Sequence, residues 1–154
     1  MILRTLTLAL AFFQLNLMNG QDKPKQYVVY AAEPQTIAAA KPSTVELHFQ
    51  VLDGYHVNSH TPKSDFLIPT SLTLPPTPGV KLGPLAYPKG QLYSFSFNPG
   101  EKLDVYAGTF GVKLPVEATP GDHTISGTLH YQACDHAACY PPRSLPVQVI
   151  FTAK

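Results

Sequence analysis

Both cysteines of the chain, Cys134 and Cys139, fall inside one short stretch, YQACDHAACYPP (131–142). Thiols so placed can do three kinds of chemistry: close a structural disulfide, ligate a metal, or exchange disulfides with another protein. As a staple the bond would return little, since closing a loop of six residues is worth about 2 kcal/mol against nearly 5 for a loop of about 100. For metal, Cys134, His136 and Cys139 form C-x-H-x2-C with His130 nearby, a set zinc accepts at such spacings. Three ligands on six residues span a tetrahedron poorly, and both methionines lie at the extreme N-terminus, leaving no axial thioether for copper. No metal or other cofactor is expected, and His56 and His60 read as loop histidines. For exchange, a disulfide in a tight, reachable loop is labile toward a partner's thiolate. There His136 would favour a thiolate and Asp135 oppose it, with Tyr131 and Tyr140 flanking the pair. The spacing is not C-x-x-C, so the pair is not of the thioredoxin type. No G-x-S-x-G elbow, P-loop or H-E-x-x-H accompanies it.

The elements that must position this loop are strands. In STVELHFQVL (43–52), Val45, Leu47, Phe49 and Val51 alternate with polar residues, and LPVQVIFT (145–152) and TISGTLHY (124–131) do the same. Shorter strands are predicted over 26–31, 67–74, 80–85, 103–108 and 109–118. Turn signals separate them at Asp53-Gly54, Pro75 to Gly79, Pro99-Gly100 and Pro120-Gly121. No helical stripe with caps is present. The expected fold class is all-β, an immunoglobulin-like β-sandwich. In it, 124–131 and 144–152 form a hairpin with the cysteines at its mouth, and facing Cα atoms there lie about 4.5–5.5 Å apart, within reach of a disulfide. Two stretches, 58–66 and 86–102, read as irregular. The second carries Tyr87, Tyr93, Phe95 and Phe97, which by themselves read as filling an open edge of the sandwich.

The N-terminus reads as a secretory leader over residues 1–20: Arg4, then TLTLALAFFQLNLM, too short for a span of about 20 apolar residues. Residues 21–154 then make one exported domain, with 21–26 a loose tail. Removing Arg4 with the leader leaves basic and acidic residues equal in number and scattered. Nucleic acid is therefore excluded as a partner. Charged residues at 14% and 16 prolines suit a compact, turn-rich β domain. An exported compartment lets the cysteine pair oxidise.

YQACDHAACYPP, GYHVNSHTPKSDFLIPTSLTL and LDVYAGTF together resemble the N-terminal domains of the thiol:disulfide interchange protein DsbD, the disulfide bond corrector family, over about residues 43–152. The resemblance implies a periplasmic, monomeric immunoglobulin-like module whose cysteine pair takes electrons from a membrane or thioredoxin-like donor. It would pass them to oxidised periplasmic thiol proteins, a protein-disulfide reductase-like role. It further implies that Cys139 forms the mixed disulfide while Cys134 resolves it. A cap loop within 93–100 would shield the pair, with Phe97 the first candidate and Phe95 and Tyr93 beside it. The spacing here has four intervening residues where familiar members have five. The transmembrane and thioredoxin-like parts of DsbD do not follow, so a separate protein is expected to reduce the module. The competing expectation is an immunoglobulin-like binding or structural module whose disulfide only clamps.

Overall fold

The computed structural model describes residues 25–95 and 98–154. The expected leader over 1–20 and the candidate shield Phe97 lie outside the described residues. Among the described residues every regular element is a strand: β1 (Val28–Tyr30), β2 (Gln35–Ile37), β3 (Ser43–Val51), β4 (His56–Asn58), β5 (Ser71–Thr73), β6 (Val80–Leu82), β7 (Gln91–Phe95), β8 (Asn98–Tyr106), β9 (Thr109–Ala118), β10 (Gly121–Tyr131), β11 (Ala133–Cys134) and β12 (Arg143–Ala153).

The long strands are those whose alternation is plainest in the sequence. Val45, Leu47, Phe49 and Val51 of β3 face inward, and so do Phe110, Val112, Leu114 and Val116 of β9, paired to it antiparallel. These two anchor a sheet of order β1-β3-β9-β6. The second sheet, β2-β12-β10-β5, is built on the β10–β12 hairpin, which pairs from Gly121↔Ala153 to Tyr131↔Arg143. Ile125, Leu129, Val147, Val149 and Phe151 of that hairpin meet the β3 and β9 side chains in one core. The predicted β-sandwich is the fold. Pro146 sits on β12 where β2, paired only at 151–153, does not reach, so on that side no strand needs its missing N–H. At the β3–β4 turn the Tyr55 N–H reaches the Leu52 carbonyl, and Gly54 takes the positive φ of 81° that the turn requires.

A third sheet, β11-β4-β8-β7, carries the cysteine loop. Its inner side chains Val57, Tyr106 and Ala133 belong to the main core. Its other face, with Leu103, Val105 and Cys134, is buried beneath Phe95, Leu67 and Tyr93 in a second, smaller cluster. This layer corrects several expectations. Within 86–102, expected to be irregular, 86–90 lie in no strand but 91–95 and 98–106 pair antiparallel, so β8 starts five residues earlier than predicted, with a register irregularity between Tyr93 and Phe95. The segment 67–74 is strand only at 71–73, and 80–85 only at 80–82, where the Gly83 N–H turns to the Pro115 carbonyl. Residues 25 and 26 are no loose tail. Gln26 accepts from the Tyr131 hydroxyl and donates to the Ser144 carbonyl, and Arg143 donates to the Lys25 carbonyl.

Candidate functional site

Cys134 and Cys139 are joined by a disulfide, with Cα atoms 3.9 Å apart. That is closer than the distance expected of facing strands, and the backbone shows why. The Tyr140 N–H donates to the Ala133 carbonyl and the Asp135 N–H to the Ala138 carbonyl. These two bonds bracket the cysteines, which therefore occupy a non-hydrogen-bonded position, the closest kind of antiparallel pair. The loop is a miniature hairpin set into the mouth of the larger β10–β12 hairpin.

Asp135 holds its turn. One carboxylate oxygen accepts from the Ala137 and Ala138 N–H groups at 2.7 and 2.9 Å, and the other accepts from the Tyr140 hydroxyl at 2.5 Å. The hydroxyl bond first, then the two amides, pull the Asp135 carboxyl down to about 2, and the same bond pushes the Tyr140 phenol up to about 12. The carboxylate therefore stays charged beside the disulfide at any ordinary pH. Tyr140 also stacks on Tyr27, ring centroids 5.0 Å apart, with Tyr55 tilted against both. Lys25 lies over the Tyr27 and Tyr55 rings and donates to the Tyr55 hydroxyl. Tyr131, fully buried below, accepts from the Tyr27 N–H and donates to Gln26. The segment before β1 is thus strapped across the base of the cysteine loop.

The two sulfurs live in different surroundings. Cys134 is 0% exposed, packed with Phe95, Leu103 and Val105, whereas Cys139 is exposed on the return limb of the loop. The floor beneath Cys134 is β4. Its Asn58 amide donates to the Ile68 carbonyl and to Gln132, tying the 59–69 segment over the same face. Phe66, 95% exposed, and Ile68 project from that segment.

Among the residues named from sequence, Cys134, Cys139, Tyr131, Asp135 and Tyr140 are brought together. His136 is exposed on the turn, and His130 of β10 bonds Ser144 of β12. Tyr93 and Phe95 lie on β7, edge-on to one another with centroids 5.6 Å apart, and both pack in the Cys134 cluster. Among the described residues no group of three His, Cys, Asp or Glu side chains is placed to hold a metal ion.

His56 was read as a loop residue, and that is corrected. It sits on β4 directly opposite Cys134, 4% exposed, with no hydrogen-bond partner for Nε2 among the described residues. Its ring lies 4.0 Å from Tyr93 and 6.0 Å from Phe95, centroid to centroid. The H-V-N triplet shows no alternation because β4 is buried on both faces, so periodicity could not reveal it. The one usable signal was its place two residues past the Asp53-Gly54 turn. His60 is likewise engaged: its Nδ1 pairs with the Thr70 carbonyl and its ring stacks on Tyr87, centroids 3.7 Å apart.

Comparison with known proteins follows the same lines. Residues 25–149 match the family model described as "Thiol:disulfide interchange protein DsbD, N-terminal". The chain is 27% identical over 132 residues to the thiol:disulfide interchange protein DsbD of Actinobacillus pleuropneumoniae serotype 5b (strain L20), covering 84% of this chain but 20% of that protein. It therefore spans about a fifth of the length of this curated relative. Among solved structures it is similar to one of the complex between the DsbD N-terminal and PilB N-terminal domains from Neisseria meningitidis (TM-score 0.51, 21% identity, covering 84% of this chain and 88% of that one). It is also similar to the N-terminal periplasmic domain of ScsB from Proteus mirabilis (TM-score 0.52, 9% identity, 79% and 44%). Both likenesses concern the fold, which is immunoglobulin-like.

Proposed function

The chain belongs to the family of DsbD N-terminal domains, and from that premise we propose that it is a thiol–disulfide exchange module working through Cys134 and Cys139. The observation that carries this reading is the unequal exposure of the two cysteine residues, Cys134 buried and Cys139 exposed. An attacking thiolate must approach along the line of the bond it breaks, and only Cys139 offers it a surface. Attack there forms a mixed disulfide on Cys139 and expels Cys134 as the leaving thiolate. In the delivery direction Cys139 attacks an oxidised partner and Cys134 resolves the adduct. Tyr93 and Phe95 then shield the inner sulfur from stray thiols. Phe97, which lies outside the described residues, is assigned to that cap on its position in the sequence alone.

The coarse surroundings fit this chemistry. Asp135, held ionised, disfavours a stray thiolate beside it and so favours the disulfide until a partner engages. The reading also takes residues 1–20 as a leader and 21–154 as one exported, periplasmic domain. Among the described residues no helix is long and apolar enough to cross a membrane. Electrons come from a membrane or thioredoxin-like donor and pass to oxidised envelope proteins. The N. meningitidis DsbD N-terminal domain, solved in complex with the PilB N-terminal domain, supports reading a protein as the partner of this fold.

Trapping tests the assignment. With Cys134→Ser, a donor or acceptor protein should accumulate as a mixed disulfide on Cys139, and with Cys139→Ser no adduct should form. The reduction potential of the unmodified pair should lie above about −300 mV, the level below which structural disulfides sit. A potential below that, with no adduct in either variant, would return the bond to a clamp.

A further inference from the structure

We propose that His56 is the proton acceptor for the Cys134 thiol when Cys134 resolves the mixed disulfide. The proposal rests on the exchange reading above and adds to it the group that activates the buried sulfur.

The difficulty it answers is physical. A thiolate is the nucleophile, yet Cys134 is wholly buried in an apolar cluster of Phe95, Leu103 and Val105, where ionisation is costly. Asp135, on the adjoining turn, repels a second negative charge. His136 is exposed on the turn, outside the buried cluster. A buried sulfur of this kind reacts at a useful rate only if its proton leaves as the new bond forms.

Geometry supplies the acceptor. Cys134 and His56 are register partners across the antiparallel β11–β4 ladder, so their side chains leave the same face of the sheet side by side. That face is the one on which the second cluster is built. His56 is 4% exposed and its Nε2 has no hydrogen-bond partner among the described residues, an arrangement that costs stability unless it serves some purpose. Burial lowers the pKa of its imidazole, with Asp135 opposing the shift. The ring is thus neutral at neutral pH and ready to take a proton. Of the titratable groups on the elements packed against it, Asp135 and Tyr93 are on its side, while Asp104 and Tyr106 of β8 alternate with Leu103 and Val105 and so fall on the opposite face of that strand. Glu101 and Lys102 are exposed farther along the β7–β8 hairpin.

The step balances without any further reactant. Cys134–SH and the Cys139–S–S–R adduct become the Cys134–S–S–Cys139 disulfide and R–S⁻. The Cys134 sulfur is oxidised, the departing thiolate carries away the electron pair of the broken bond, and the proton moves to His56 Nε2. It returns to solvent when the imidazolium, unfavourable in the apolar cluster, deprotonates.

The test separates this step from the attack that precedes it. The reduced protein is mixed with an aromatic disulfide, 5,5′-dithiobis(2-nitrobenzoate), in a stopped-flow instrument. Release of the first coloured thiolate reports attack by exposed Cys139, and release of the second reports resolution by Cys134. In H56Q and in H56F, which keeps the ring contacts with Tyr93 and Phe95, the first phase should be unchanged. The second should slow by roughly a hundredfold at neutral pH, the lower end of general acid–base effects. Its rate in the variants should climb about tenfold per pH unit and approach that of the unmodified protein in alkali, where hydroxide replaces the imidazole. The unmodified second phase should stay level through neutrality.

Unchanged second phases, or a loss of equal size at every pH, overturn the proposal. A single phase in the unmodified protein removes the exchange reading and this inference with it, whereas two phases with unaffected variants overturn the inference alone. Should both variants misfold, carbon-detected titration of His56 in the unmodified protein decides. Its pKa should fall on reduction, because the Cys134 S–H can then donate to the imidazole and favour its neutral form. Identical titrations in the two redox states refute it.

Discussion

If the disulfide is there to be opened, opening it must cost the fold little, and the structure sets how little. The bond links residues five apart in sequence, so the loop it closes holds six residues, and the chain-entropy estimate is about 2 kcal/mol. The native loop keeps its own supports after reduction. The two bracketing backbone bonds remain, and so do the three hydrogen bonds to Asp135. The Cys134 sulfur, reduced, is a small apolar group that stays content in the cluster with Phe95, Leu103 and Val105. Against this, truncating one fully buried core residue such as Leu129 to Ala costs about 2–5 kcal/mol. Reduction should therefore lower stability by no more than about 2 kcal/mol and Tm by roughly 5–10 °C, leaving a folded domain. Urea unfolding followed by far-ultraviolet circular dichroism, on oxidised protein, dithiothreitol-reduced protein and the C134A/C139A double variant, measures it. The two thiol-free or thiol-reduced forms should coincide in midpoint. A reduced form that is unfolded without urea, or that loses more than about 5 kcal/mol, would show the bond to be holding the sandwich and would defeat the reasoning.

Three further outcomes are expected. Replacing Phe95 with Ala should uncover Cys134 and speed reduction of the disulfide by a small thiol such as glutathione, on the order of tenfold if access controls the rate. Quenched time points on a gel read that rate. Replacing Asn58 with Ala should cost about 1–3 kcal/mol in urea, because the Gln132 side-chain oxygen and the Ile68 carbonyl lose a buried donor. The same variant should loosen the 59–69 segment to hydrogen exchange. Asp135 sets a pH dependence whose sign follows from its folded pKa of about 2, below the ordinary 3.8. The stability it contributes is complete above about pH 4 and is lost as pH falls through about 2. The stability difference between the protein and D135N should therefore be constant near neutrality and shrink in acid, and Y140F should move the Asp135 titration back toward its ordinary value.

Much of the frame was legible because it is written in alternation. Val45, Leu47, Phe49 and Val51 announce β3, and the pattern of 109–118 marks β9 to its last residue. The strands flanking the cysteine loop were equally plain, so the loop's place at the hairpin mouth followed. The third sheet was hidden for the opposite reason. Packed on both faces, β4 and β11 have no polar side to alternate with, and the HVN of β4 is buried throughout. β7 mixes apolar and polar residues without a period, and β2 gains strand character only from a parallel partner more than a hundred residues away. His56 reads as a loop histidine from sequence, and Asn58 carries no role there, because both sit in that layer.

By itself the sequence determined the class of fold, the span of the longest strands and the identity of the only two sulfurs that could react. Those are local properties: side-chain period, turn residues and residue type. Only the tertiary structure decided that Cys134 is buried and Cys139 exposed, that an imidazole whose Nε2 has no partner among the described residues lies beside Cys134, and that residues 25–27 brace the loop. Each of these depends on which distant strand comes to lie against 133–134, and that is settled by how three sheets pack around shared cores.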